Sequence, residues 1–330
     1  MTTTIRWCLL LGGMLALAIM ASLTFGDAFV SPIRAMEAVI GKGTIEEGLL
    51  VRTLRLPRTV VALLVGASLA AAGTLLQGAF RNPLAAPDLI GVTGGASVAA
   101  VAFVVLRPAT LSIAWLPAVT MAGAAVVSAL VLALARKGGT LSPTRLILVG
   151  IGVGAFMSAM TTMLVVFSPM HTATEAYIWL TGTVYGSSWK HVSTLLPWTV
   201  VFLSLAIMNG RRLNALMLGD ELATGIGNAV ERSRLSVVAL SVALAGSAVS
   251  MGGVIGFVGL LAPHVARKLV GPLSSRAIPV SALLGGIIVV TADLAARTLF
   301  LPLDIPVGVF TSGVGAPFFI YLLFRTRNIR

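Results

Sequence analysis

Residues 59 to 80, TVVALLVGASLAAAGTLLQGAF, run for 22 positions without a charged side chain. At 1.5 Å per residue a helix of that length spans about 33 Å, enough to cross the roughly 30 Å hydrocarbon core of a bilayer. Comparable apolar runs fall at about 7 to 28, 90 to 106, 111 to 135, 145 to 167, 191 to 209, 235 to 250, 254 to 266, 278 to 299 and 305 to 324. A 57% hydrophobic, 10% charged chain with mean hydropathy +1.01 has too little polar surface for a soluble globule. Uninterrupted runs also differ from the alternating pattern of a membrane β-barrel. The fold class is therefore all-α and polytopic, with ten transmembrane helices expected in a single domain over residues 1-330.

The count turns on residues 235 to 266, where MGGVIGFVGLLAPHVAR interrupts the apolar pattern with glycines and a proline. One long kinked helix competes here with two shorter ones. Arg6 at one end and Arg325, Arg327 and Arg330 at the other put both termini in the cytoplasm by the positive-inside rule, which demands an even number and favours two. On that topology Arg136, Lys137, Arg145, Arg211, Arg212, Arg232, Arg234, Arg267, Lys268 and Arg276 lie inside. Arg52, Arg55 and Arg58 do not: they end the loop after the first span and break the bias that orients the rest. Snorkelling to headgroups would account for them equally well. The N-terminal run is long and lacks an A-x-A-like cleavage site, so it is read as a retained first span.

The charge of +12 is scattered between apolar spans, unlike the concentrated face of a nucleic-acid binder. Cys8 is the single cysteine, and His171, His191 and His264 are widely separated, so a transition-metal site is not expected. GKGT at 41 to 44 lacks the upstream glycine and strand of a phosphate-binding loop, so ATP chemistry would need another chain. VGIGVGA at 149 to 155 lies inside a span and reads as helix packing, as does the small-residue stripe Ala62, Gly66, Ala70. Asp293 and Arg297, four residues apart, can pair along one helix face near the outer end of the ninth run.

Between the sixth and seventh runs, residues 209 to 234 have room for two short cytoplasmic helices, the first capped by Asn214 and the second closed by Gly225 and Gly227. Leu213, Leu216, Met217, Leu218 and Leu222 are too apolar for a solvated loop, which points to a protein partner or the membrane interface.

RLPR at 55 to 58, LLVGASLAAAGTLLQGAFRNPLAAPDLIGVTGGA at 63 to 96, LSPTRLILVGIGVGA, LNALMLGDELATGIG, GVIGFVGLLAPHVAR, ADLAAR and IPVGVFTSGVGAPFFIYLL follow one another in order. Together they closely resemble the FecCD-type permeases of bacterial ABC importers for iron-siderophores, haem and cobalamin. The resemblance implies a type II importer fold of ten helices, a second permease subunit forming a homo- or heterodimer, two cytoplasmic ATPases and a substrate-binding protein, in the bacterial inner membrane. It implies no cofactor in this chain, since ATP and magnesium belong to the ATPase, and no enzymatic activity. By the same resemblance Arg55, Arg58 and Arg297 dock the binding protein. Leu218, Gly219, Asp220 and Ala223, in coupling helices at about 213-228, meet the ATPase, and Asn82, Leu84, Ser142 and Thr144 form the inner gates.

The expected cargo is a ferric siderophore, with haem or cobalamin as the alternative. Met170, His171, Tyr177, Trp179 and Tyr185 are placed to brush a ligand or to anchor at the interface. A proton-driven secondary transporter would need titratable residues in relay across the bilayer. Asp293 alone does not supply one, and an intramembrane enzyme has no recognisable catalytic set.

Overall fold

The computed structural model describes residues 2–108, 110–137 and 140–327; Arg330, one of the orienting C-terminal charges, lies outside them. Among the described residues the chain is built from α1 (Thr2–Thr24), α2 (Pro32–Val39), α3 (Ile45–Gly48), α4 (Leu56–Ala79), α5 (Val92–Leu106), α6 (Leu116–Ala135), α7 (Pro143–Val166), α8 (Met170–Leu180), α9 (Trp189–Met208), α10 (Gly210–Met217), α11 (Asp220–Gly225), α12 (Val230–Gly252), α13 (Val258–Val270), α14 (Ser274–Thr298) and α15 (Val307–Arg327). A π-helical stretch, Leu49–Arg55, joins α3 to α4 without a break, and Arg136–Lys137 pairs antiparallel with Thr140–Leu141 in a short ribbon.

Among the described residues seven helices have the length and composition to cross a bilayer: α1, the continuous Ile45–Ala79 stretch, Ile113–Ala135, α7, α9, α12 and α14. The apolar runs at 90 to 106, 254 to 266 and 305 to 324 fall on α5, α13 and α15, which are not among those seven. The ambiguous stretch is two helices, because Gly253 at φ 65° and Phe257 at φ 64° turn the backbone out of the helical path between α12 and α13.

Helix α4 is the axis of the bundle, with 89% of its apolar window buried among α9, α12, α13 and α14. Its small residues permit this. A Cβ on Gly66 would strike the Gly285 carbonyl of α14, and one on Gly73 would strike the Gly259 carbonyl of α13. Of the second small-residue pair, Gly150 packs against the Leu89 carbonyl while Gly154 faces open space. Since lipid is as apolar as leucine, close van der Waals contact and interhelical hydrogen bonds hold such a bundle together. The bonds are present: Ser68 Oγ to Thr199 Oγ1 at 3.0 Å, Ser241 Oγ to the Ala72 carbonyl at 3.0 Å and Ser281 Oγ to the Ala70 carbonyl at 3.1 Å.

Candidate functional site

The candidate side chains gather at the two ends of the bundle. At one end, the C-termini of α1 and α14 meet the N-terminus of α4. Arg58 lies between two acids: its Nε donates to both Asp293 oxygens at 2.9 and 3.1 Å, and its Nη1 and Nη2 donate to Asp304 at 2.6 and 2.9 Å. The Tyr185 ring lies beside the guanidinium, 5.5 Å from centroid to Cζ. Arg55 donates to the Leu23 carbonyl at 2.8 Å, the Thr24 carbonyl at 3.0 Å and the Ala28 carbonyl, and so closes the open C-terminus of α1. Arg297 donates to the carbonyl of Ser22 and, at 2.7 Å, to its hydroxyl, which also bonds Thr59 Oγ1.

The three arginines expected to dock a binding protein are engaged within this chain: Arg55, Arg58 and Arg297 are 4%, 9% and 7% exposed, and each donates to groups of its own chain. They form a clasp that ties three helices and the 299 to 306 loop together. Asp293 pairs chiefly with Arg58, 235 positions away, while Arg297 Nε stands 3.9 Å from it along the helix, so the expected local pair is the weaker one. Arg52 alone of the opening arginines is exposed, and its carbonyl accepts the Trp189 indole N–H at 2.9 Å.

The other end carries the connecting helices. Leu213 and Leu216 are fully buried, the former fitting beneath Gly78 of α4, where a Cβ would come within 2.9 Å of it. Asn214 is no cap: it sits within α10 and binds Ser275 of α14 through both amide atoms, Nδ2 to Oγ at 2.9 Å and Oδ1 from the backbone N–H at 3.3 Å. Gly219 turns the chain from α10 into α11 at φ 109°, as expected of a residue chosen for that turn. Leu218, Leu222 and Ile226 project outward at four-residue spacing, 57%, 63% and 64% exposed. Ala223, expected at the ATPase contact, is fully buried within the chain.

Both segments expected to form the inner gates reach this end. Asn82 Oδ1 accepts the Leu84 N–H at 2.9 Å, and Ser142 caps α7 by accepting the Arg145 N–H at 3.5 Å. Asn82, Pro143 and Thr144 line one cavity of about 180 Å³, so the structure brings the two segments together. On its other side Asn82, with Leu84, borders a second cavity of about 280 Å³, walled by Phe257, His264 and Phe318. Reasoning from sequence missed Asp304 as the second acid of the clasp and Phe257 as a wall residue. Proximity in the fold, which the sequence does not record, makes both visible.

A profile of the FecCD transport family matches residues 14–325. A siderophore transport system permease of Bacillus subtilis, YfhA, described there as probable, is 44% identical over 325 residues, covering 97% of this chain and 94% of its own. The achromobactin transport system permease CbrC of Dickeya dadantii is 46% identical, covering 96% and 90%. The cobalamin import permease BtuC of Halobacterium salinarum is 43% identical, covering 85% and 74%. Among solved structures, a chain of a metal-chelate type ABC transporter in an inward-facing conformation superposes with a TM-score of 0.87 at 29% identity, covering 97% of this chain and 99% of that one.

Proposed function

The chain belongs to the FecCD transport family, and from that premise we propose that it is the membrane-spanning subunit of an ATP-binding-cassette importer that carries a ferric siderophore across the bacterial inner membrane. Its relatives named for siderophores match nearly its whole length, which supports that cargo over others. The cobalamin permease keeps cobalamin as the second reading. With α5, α13 and α15 the chain makes ten crossings, with both termini cytoplasmic.

One observation carries the ATP-driven mechanism: two short helices joined at Gly219, their inner leucines anchored in the bundle and Leu218, Leu222 and Ile226 left bare. Such a knuckle fits a hydrophobic groove on a cytoplasmic ATPase, with Asp220 at its rim. Two ATPase subunits supply the hydrolysis and its magnesium, a second permease copy or paralogue completes the pathway, and a binding protein delivers the chelate. That protein docks on the end that carries the arginine clasp. Arg52 offers an exposed charge there, while Arg55, Arg58 and Arg297 shape the platform from below. Selectivity rests mainly with the binding protein that delivers the chelate.

The test is co-purification of the chain with its ATPase and measurement of hydrolysis with and without loaded binding protein. Stimulated hydrolysis that disappears when residues 213 to 228 are deleted supports the reading. Stimulation that survives the deletion overturns it.

A further inference from the structure

A chain of charged contacts links the connecting helices to both gate segments. Asp220, the first residue of α11, accepts from two guanidinium groups at a single oxygen, Oδ1: Nη2 of Arg234 at 2.8 Å and Nη2 of Arg81 at 3.4 Å. Arg81 is the residue before gate residue Asn82, held at φ 49°, a left-handed conformation that few non-glycine residues adopt. Arg234, on α12, is 3% exposed, and one turn earlier Glu231 Oε2 stands 3.9 Å from its Nη1. The same Oε2 accepts the backbone N–H of Leu141 at 3.4 Å, and Leu141 precedes Ser142 and Thr144 of the second gate segment.

We propose that Arg81, Asp220, Arg234 and Glu231 form an ionic relay that transmits movement of the ATPase-facing helices to the two gate segments separately, Arg81 serving residues 81 to 87 and Glu231 serving residues 141 to 145. All four are positioning residues, and the inference rests on the importer reading above. The Asp220–Arg234 contact, 2.8 Å to a buried guanidinium, ties α11 to α12, and the two 3.4 Å contacts reach from that pair to the gate segments. Two buried atoms, Glu231 Oε1 and Arg234 Nε, have no hydrogen-bond partner. The two stand one helical turn apart, so each has hydrogen-bonding capacity left for a partner in a second conformation. Gly219, immediately before Asp220, supplies the pivot.

Arg81→Gln and Glu231→Gln test this in the assembled transporter, by hydrogen–deuterium exchange with and without vanadate-trapped nucleotide. Basal hydrolysis should stay within about twofold of wild type, and substrate moved per ATP should fall about tenfold, the size of a typical coupling between sites. Arg81→Gln should abolish the nucleotide-dependent change in exchange at residues 81 to 87 only, Glu231→Gln at 141 to 145 only, and Arg81→Lys should restore the first. Wild-type responses in both variants, or loss at both segments together in either one, would overturn the relay. A wild-type complex with no nucleotide response at all would instead overturn the importer reading.

Discussion

Arg58→Met is the most revealing single substitution at the clasp. It removes a guanidinium that contacts Asp293 at 2.8 to 3.1 Å, and Asp293, 1% exposed in its side chain, is left with only Arg297 Nε at 3.9 Å as a cation. A buried carboxylate stripped of its partner costs about 3–5 kcal/mol. Asp304 is more exposed, at 27%, and Arg58 keeps Asp293 when it is lost, so Asp304→Asn should cost less than Arg58→Met. Replacing Arg58 and Asp293 together by Met and Leu removes both deeply buried charges and should recover most of the loss, because apolar replacements of buried pairs are often neutral. Denaturant unfolding of the purified chain in detergent, followed by tryptophan fluorescence, gives the three values. If Arg58→Met left stability within about 0.5 kcal/mol of wild type, as a surface substitution would, the clasp would not be structural.

Other outcomes follow from the same contacts. Gly73→Ala drives a methyl group into the Gly259 carbonyl and should cost at least about 1–3 kcal/mol, seen as lost monodisperse protein on size-exclusion, whereas Gly154→Ala, with nothing within 4 Å, should behave as wild type. Gly219→Ala, at φ 109°, should destabilise the turn by about 1–3 kcal/mol and depress substrate-stimulated ATP hydrolysis more than ATPase binding. Leu222→Asp, on an exposed face, should leave the unfolding midpoint unchanged while abolishing co-purification of the ATPase; retained co-purification would remove this face from the interface.

The spans were legible because an uncharged run of 20 residues has few alternatives in a membrane protein: the 59 to 80 run became Leu56–Ala79, and the 191 to 209 run became Trp189–Met208. The break at 253 to 257 and the Gly219 turn were legible too, since glycine marks backbone that other residues resist. Amphipathic pieces were harder. Helix α8 begins with a polar MHTATE stretch, and α3 announces itself only by a Thr44–Glu47 capping box within a short loop. Side-chain partners were not legible at all. Asn214 has the composition of a cap, yet its partner Ser275 lies 61 positions on; Asp293 looks made for Arg297 four residues away, yet holds Arg58. Local spacing identifies candidates for a pair, and the folded bundle decides among them.

Uptake of a radiolabelled ferric siderophore into proteoliposomes holding the chain with its ATPase tests the central claim most directly. The account predicts uptake that needs ATP and the binding protein, stops with orthovanadate and ignores a protonophore. Uptake that persists in orthovanadate and collapses with the protonophore would contradict it.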